Sequence, residues 1–203
     1  MEHVAALIAA TAILVAIPGP NVALIVATSL SRGTRYGLLA VAGTTLGVAL
    51  QLALTVVGLT ALVEIVAIGL EWLRWLGVAY LVYLAIRAWR APTDDLTGAG
   101  PHRRSSHALF WGGAGVAVVN PKTLLFNSAF LPQFVSAESS LSIGTQFILV
   151  AAVFLAVLAI GDSIWAGLAG WARGYLTRFG KLRNRLTSGF LLGASVALAL
   201  SRR

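Results

Sequence analysis

The chain has 203 residues, of which 58% are hydrophobic and 11% charged, and it carries a formal charge of +8. With a mean hydropathy of +0.86, this composition excludes a soluble domain, which needs a far larger polar shell. Cysteine is absent, which excludes disulfides and thiolate metal sites, and the positive charge is assigned to loops facing anionic lipid rather than to nucleic acid.

A hydrocarbon core takes roughly 20 apolar residues per crossing helix. The apolar runs give about six such segments, near 4–28, 38–62, 68–90, 107–133, 142–170 and 186–201. Backbone groups must be satisfied within lipid, so each is read as a helix. The first run follows Met1-Glu2-His3, which lacks a positive leader, and it is longer than a signal-peptide core; it is expected to be retained.

The first segment contains "AIPGPNVALIV", with Pro18, Gly19, Pro20 and Asn21 in sequence. Proline removes a helix hydrogen bond and clashes with the preceding turn, so two prolines around a glycine predict a break. The loop after it carries Arg32 and Arg35. The second segment holds Gln51 in an apolar run, as either an interhelical hydrogen-bonding group or part of a site. The loop after it carries Glu64 and Glu71 with one Arg74, and the third segment ends near Arg87 and Arg90.

Residues 92–106, "PTDDLTGAGPHRRSS", form the linker-like stretch. They divide the chain into halves, 1–91 and 107–203, within a single transmembrane domain. The fourth segment has the second break, "VVNPKTLLF", where Asn120 reads as an N-cap, Pro121 as the first helical residue and Lys122 as a cation beside that helix start. The fifth segment holds Asp162 in "LAIGDSIWAGL". An ionisable group at membrane depth costs at least roughly 2.5–3.5 kcal/mol on insertion scales. Asp162 is therefore read as a proton carrier or a contact for a substrate ammonium, with a static ion pair to Lys122 as the alternative. Residues 173–185, "RGYLTRFGKLRNR", read as a basic loop or an interfacial segment on lipid.

Basic residues concentrate in the first, third and fifth loops, with Arg103, Arg104, Arg173, Arg178, Lys181, Arg183 and Arg185 in the latter two, whereas the fourth carries Glu138. The odd loops and the linker are therefore assigned to the cytoplasm, and both termini to the outside. The small-residue pairs Gly43/Gly47 and Gly189/Gly193 are expected to pack within the bundle, with dimerisation as the lesser reading. Trp72, Trp75, Trp89 and Trp111 are read as interface anchors. His3, His102 and His107 lie at the terminus or in loops. They form no catalytic or metal-binding set with the acids, so no enzyme, cofactor or metal is expected.

Each break lies midway through the first segment of its three-helix half. Three crossings per half give the halves opposite orientation, the layout of an inverted repeat whose broken helices build a midplane site. Free N–H groups at a helix start, reinforced by Lys122 and the amides of Asn21 and Asn120, suit a carboxylate.

The chain also resembles the LysE/RhtB family of amino-acid exporters over nearly its whole length. The resemblance rests on "PGPN" at 18–21, "SRGTRYGLLAVAGTTLGV", "LRWLGVAYLVYLAIRAWR", "NPKTLLFNSAFLPQFV" and "SGFLLGASVALAL". It implies six spans and proton-driven export of amino acids or close derivatives across the cytoplasmic membrane of a bacterium. It carries substrate-binding positions onto Pro18, Gly19, Pro20, Asn21, Asn120, Pro121 and Lys122, and the fifth-span acid onto Asp162. Gln51 departs from it, because many members have a titratable histidine there, and coupling is expected to rest on Asp162. The competing readings are a cation or metal exporter of related fold, and a non-transport membrane protein.

Overall fold

The computed structural model describes residues 2–58, 75, 78–79, 81–86, 89–90, 105–136, 139–176 and 180–200. Among these, regular structure is helical throughout: α1 (Glu2–Ala16), α2 (Pro20–Arg32), α3 (Thr34–Gly58), α4 (Ser106–Val118), α5 (Pro121–Leu125), α6 (Ile143–Leu176) and α7 (Gly180–Leu200). α5 runs on through a π-helical turn, Phe126–Phe130, and a 3-10 turn, Leu131–Phe134. Of the expected third segment, residues 81–86 are helical. The second loop, with Glu64, Glu71, Trp72 and Arg74, lies outside the described residues, as do Arg87, most of the 92–106 linker, Glu138 and Arg178.

α3 and α6 are each long and apolar enough to cross a membrane, and α1 with α2 make a third such unit bent by 57° at the Pro-Gly-Pro break. At 34 residues, α6 is about 51 Å long, well beyond a hydrocarbon core of about 30 Å, so it tilts or protrudes. Both breaks fall where the prolines require them. Two basic stretches expected from the charge pattern to form loops are largely helical among the described residues. The first narrows to Gly33, whose φ of 97° turns α2 directly into α3, a conformation that favours glycine. The stretch 173–185 is mostly helix, since α6 continues to Leu176 and α7 starts at Gly180. Long basic side chains at helix ends reach water without breaking the helix, so their presence marks the end of the apolar zone and not the end of the helix.

α2 is the hub. Every residue from Pro20 to Leu30 is buried, with α7, α6 and α3 packed around it. α3 and α4 cross backbone to backbone. A Cβ on Gly43 would stand 2.0 Å from the Phe110 carbonyl oxygen, one on Gly47 2.4 Å from that of Ala114, and one on Gly113 2.8 Å from that of Ala40. The Gly43/Gly47 pair thus packs inside the bundle as its spacing predicts. Gly189 and Gly193 do not: a Cβ at either meets no described atom within 4 Å. Polarity is distributed as a bilayer demands. Ile13, Ile148 and Ile160 face outward, whereas Asn21, Gln51, Asn120, Asn127 and Asp162 are buried.

Candidate functional site

The break between α1 and α2 strands carbonyls at the end of α1. In a continuous helix the Leu14 and Ala16 carbonyls would accept from residues 18 and 20, which are prolines without an N–H. Two side chains from the second half of the chain reach these stranded groups. The Lys122 ammonium donates to the carbonyl oxygens of Leu14 and Ile17. The Trp165 indole donates to Val15 O at 3.1 Å. A cation here also opposes the negative end of the α1 dipole.

The second break is held in the mirrored sense by Gln51. Its Nε2 lies 2.8 Å from Ala117 O, 3.0 Å from Val118 O and 3.2 Å from Asn120 O. An amide has two hydrogens, so these are shared. Asn127 Nδ2 in turn donates to Gln51 Oε1 at 3.3 Å. The Asn120 side chain caps the new helix start, its Oδ1 accepting from Lys122 N at 3.1 Å. This is the N-cap and Pro-first arrangement read from the sequence.

Between the breaks lies a cavity of about 20 Å³, lined by Leu14, Val15, Gly19, Asn21, Val22, Asn120, Lys122, Thr123, Leu158 and Asp162. Of the residues picked out from sequence, Gly19, Asn21, Asn120, Lys122 and Asp162 meet here. Pro20 and Pro121 open their helices beside it without lining it, Pro18 faces a neighbouring groove, and Gln51 is engaged with backbone carbonyls instead. The first intrahelical bond of α2 is Ala23 N to Gly19 O, 2.9 Å, which leaves the Asn21 and Val22 N–H groups ahead of it. Gly19 has φ −123°, which any residue tolerates. Space is tight instead, since a Cβ there would lie 3.0 Å from Lys122 Cδ and press on the lysine stem.

Two buried acceptors at this cavity, Asn21 Oδ1 and Asp162 Oδ2, have no hydrogen-bond partner among the described residues. Asp162 is 2% exposed. Buried polar atoms are paired in the great majority of cases, so two orphans on one cavity mark a place for a donor: a water, a proton or an ammonium.

Trp165 and Asn127 were missed by sequence reasoning. Trp165 lies three residues after Asp162 and so on the same helix face, which was a usable signal. Asn127 had none beyond its polarity in an apolar run.

A family model, LysE type translocator, matches residues 12–202. The chain belongs to the LysE family. It is 28% identical over 191 residues to an uncharacterized membrane protein of Vibrio cholerae, covering 91% of this chain and 90% of that one. It is 32% identical over 121 residues to a homoserine/homoserine lactone efflux protein of Salmonella typhi, covering 60% and 59%. It is 26% identical over 178 residues to a leucine efflux protein of Enterobacter sp. (strain 638), covering 85% and 80%. No solved structure matches it. Family and apolar helices together make this LysE-type chain a multi-pass membrane protein.

Proposed function

We propose that this LysE-family chain is a secondary exporter of amino acids or close derivatives across the bacterial cytoplasmic membrane, driven by proton entry, with its binding centre between the two helix breaks. The observation that carries the reading is the single cavity on which both breaks, an ammonium and a carboxylate converge. A zwitterion has one group for each: its carboxylate for Lys122 and the α2 amino end, its ammonium for Asp162 and Asn21 Oδ1. Irregular backbone at membrane depth is tolerated where it faces a cavity or ligand. Relatives named as leucine and homoserine efflux proteins support the substrate class, and favour it over the metal-exporter reading.

Volume sets a condition on the cycle. About 20 Å³ holds about one water and not an amino acid. This is a closed state, and opening it requires Lys122 to leave the Leu14 and Ile17 carbonyls. A substrate carboxylate competes for that ammonium, which couples binding to rearrangement of the first break. The two halves act as inverted repeats, each supplying side chains that hold the other's break.

The test is purified protein in liposomes loaded with a labelled amino-acid mixture, with and without an imposed pH gradient. Amino-acid efflux that accelerates as protons flow inward is the expected result; gradient-independent leakage or no flux overturns it. Orientation has its own check. Ser106 is exposed and is not the cap of α4, a role taken by Ser105, whose side chain accepts from Ala108 N at 3.2 Å. A cysteine at Ser106 is expected to resist membrane-impermeant reagents in intact cells and to react in inverted vesicles, as the positive-inside assignment requires.

A further inference from the structure

Beside the closed cavity lies a much larger space. A groove of about 410 Å³ runs between the first break and α7, lined by Pro18, Gly19, Ala23, Arg185, Gly189, Phe190 and Gly193 with neighbouring alanines and Leu186. Gly19 lines both spaces. On α7, Arg185, Gly189, Gly193 and Ala197 follow at four-residue intervals and so form one face of the helix. Neither glycine is needed for close packing among the described residues, because a Cβ at either finds no atom within 4 Å. Among the described residues, small side chains here line a space instead of closing a contact.

We propose that this groove receives the side chain of the transported amino acid, and that Gly189 and Gly193 set the size it accepts. The proposal rests on the exporter reading above, and it goes further by naming the substrate class: zwitterions with uncharged, apolar side chains. Three observations fix the occupant. The groove adjoins, across their shared lining residue Gly19, the cavity where Lys122, Asp162 and the unpartnered Asn21 Oδ1 would hold the head group. Among the described residues its lining is apolar apart from Arg185, with no carboxylate to take a cationic side chain. Arg185 stands on the basic, cytoplasm-assigned flank of α7, with its guanidinium carbon 5.9 Å from the centre of the Trp89 ring, where its charge repels cationic side chains.

The experiment uses the full chain in liposomes, with labelled leucine and labelled alanine as probes that share a head group and differ in side chain. Gly193→Leu and Gly189→Leu fill the groove. Gly144→Leu, at a glycine that also meets no atom within 4 Å but lies at the start of α6, is the control. The expected result is a KM for leucine raised about tenfold or more in the two α7 variants, with alanine kinetics within about twofold of wild type and the control unchanged. Alanine flux in the same sample shows that each variant is folded. An unchanged leucine-to-alanine ratio overturns the groove while leaving the exporter reading intact; wild-type protein that moves neither probe nor any other amino acid overturns the exporter reading itself. A change of oligomeric state with the ratio unchanged assigns the groove to a second copy of the chain and also overturns the proposal. If a leucine variant is inactive on both probes, Gly193→Ala decides: a smaller but selective loss of leucine transport supports the groove, and equal loss for both overturns it.

Discussion

Lys122→Ala is expected to lower transport by at least a hundredfold while the protein remains in the membrane. The ammonium stands on two tasks. It donates to the Leu14 and Ile17 carbonyls, and in the proposed mechanism it is also the cation for a substrate carboxylate on the cavity it lines. Losing the first task leaves the part-buried Leu14 carbonyl short of a donor, at no more than about 1–3 kcal/mol, whereas the exposed Ile17 carbonyl can turn to other donors. A bundle held by the α2 hub and the α3–α4 crossing survives that. Losing the second removes, in the proposed mechanism, the cation that recognises the carboxylate, and no other cation lines this cavity among the described residues. Trp165→Phe separates the two effects. It strips one donor from the same carbonyl cluster without touching the charge, so it is expected to cost stability and only a fewfold in rate. Lys122→Arg is also expected to fail, because its stem lies against Gly19 and a planar fork does not fit where a compact ammonium sat. Measurement is initial efflux from liposomes at matched protein content. Near wild-type flux by the alanine variant, or equal losses in Lys122→Ala and Trp165→Phe, would remove the carboxylate site and leave Lys122 as a structural cap.

Much of this arrangement was legible in the chain itself. Pro18-Gly19-Pro20 and Asn120-Pro121 predict breaks because proline's missing N–H and fixed φ act locally, without help from the fold. Asp162 stands out because charge in an apolar run has a cost that position alone reveals. Sequence reading failed where the meaning of a residue depends on what lies opposite. Gln51 reads as a polar group seeking a partner, and nothing near it in sequence says that the partners are the carbonyls of Ala117, Val118 and Asn120. Lys122 reads as a cation beside a helix start or as an ion-pair partner of Asp162, whereas the end of α1 supplies its acceptors from more than a hundred residues away. The two glycine pairs are indistinguishable by spacing. Gly43/Gly47 meets the backbone of α4, and Gly189/Gly193 meets no described atom within 4 Å. Tertiary context decides such cases, and periodicity does not carry it.

Asp162→Asn is expected to abolish pH-driven net export while amino-acid exchange persists. Moving a neutral zwitterion up a tenfold gradient costs about 1.4 kcal/mol. One charge crossing 100 mV supplies about 2.3 kcal/mol. One proton entering per amino acid leaving is therefore sufficient, and no nucleotide-driven step is needed. The carrier of that proton must sit at the binding centre, bind the proton facing one side and release it facing the other. Asp162 meets the structural requirement: it is 2% exposed, it lines the cavity between the breaks, and its Oδ2 has no hydrogen-bond partner among the described residues. Gln51, in the second predicted span, cannot titrate and is occupied with backbone carbonyls. Asparagine keeps the shape of the protonated acid, and its amide oxygen still accepts from a substrate ammonium, so the variant is expected to bind substrate more weakly and still reorient with it. It is locked in one half of the proton cycle. Counterflow and pH-driven accumulation measured on one reconstituted sample distinguish the cases. Intact counterflow with no accumulation is the expected outcome. Accumulation at the wild-type rate would show that the proton travels elsewhere and that Asp162 serves as a fixed electrostatic partner of Lys122; loss of both activities would make Asp162 a substrate contact first, placing its charge against the ammonium of the bound amino acid.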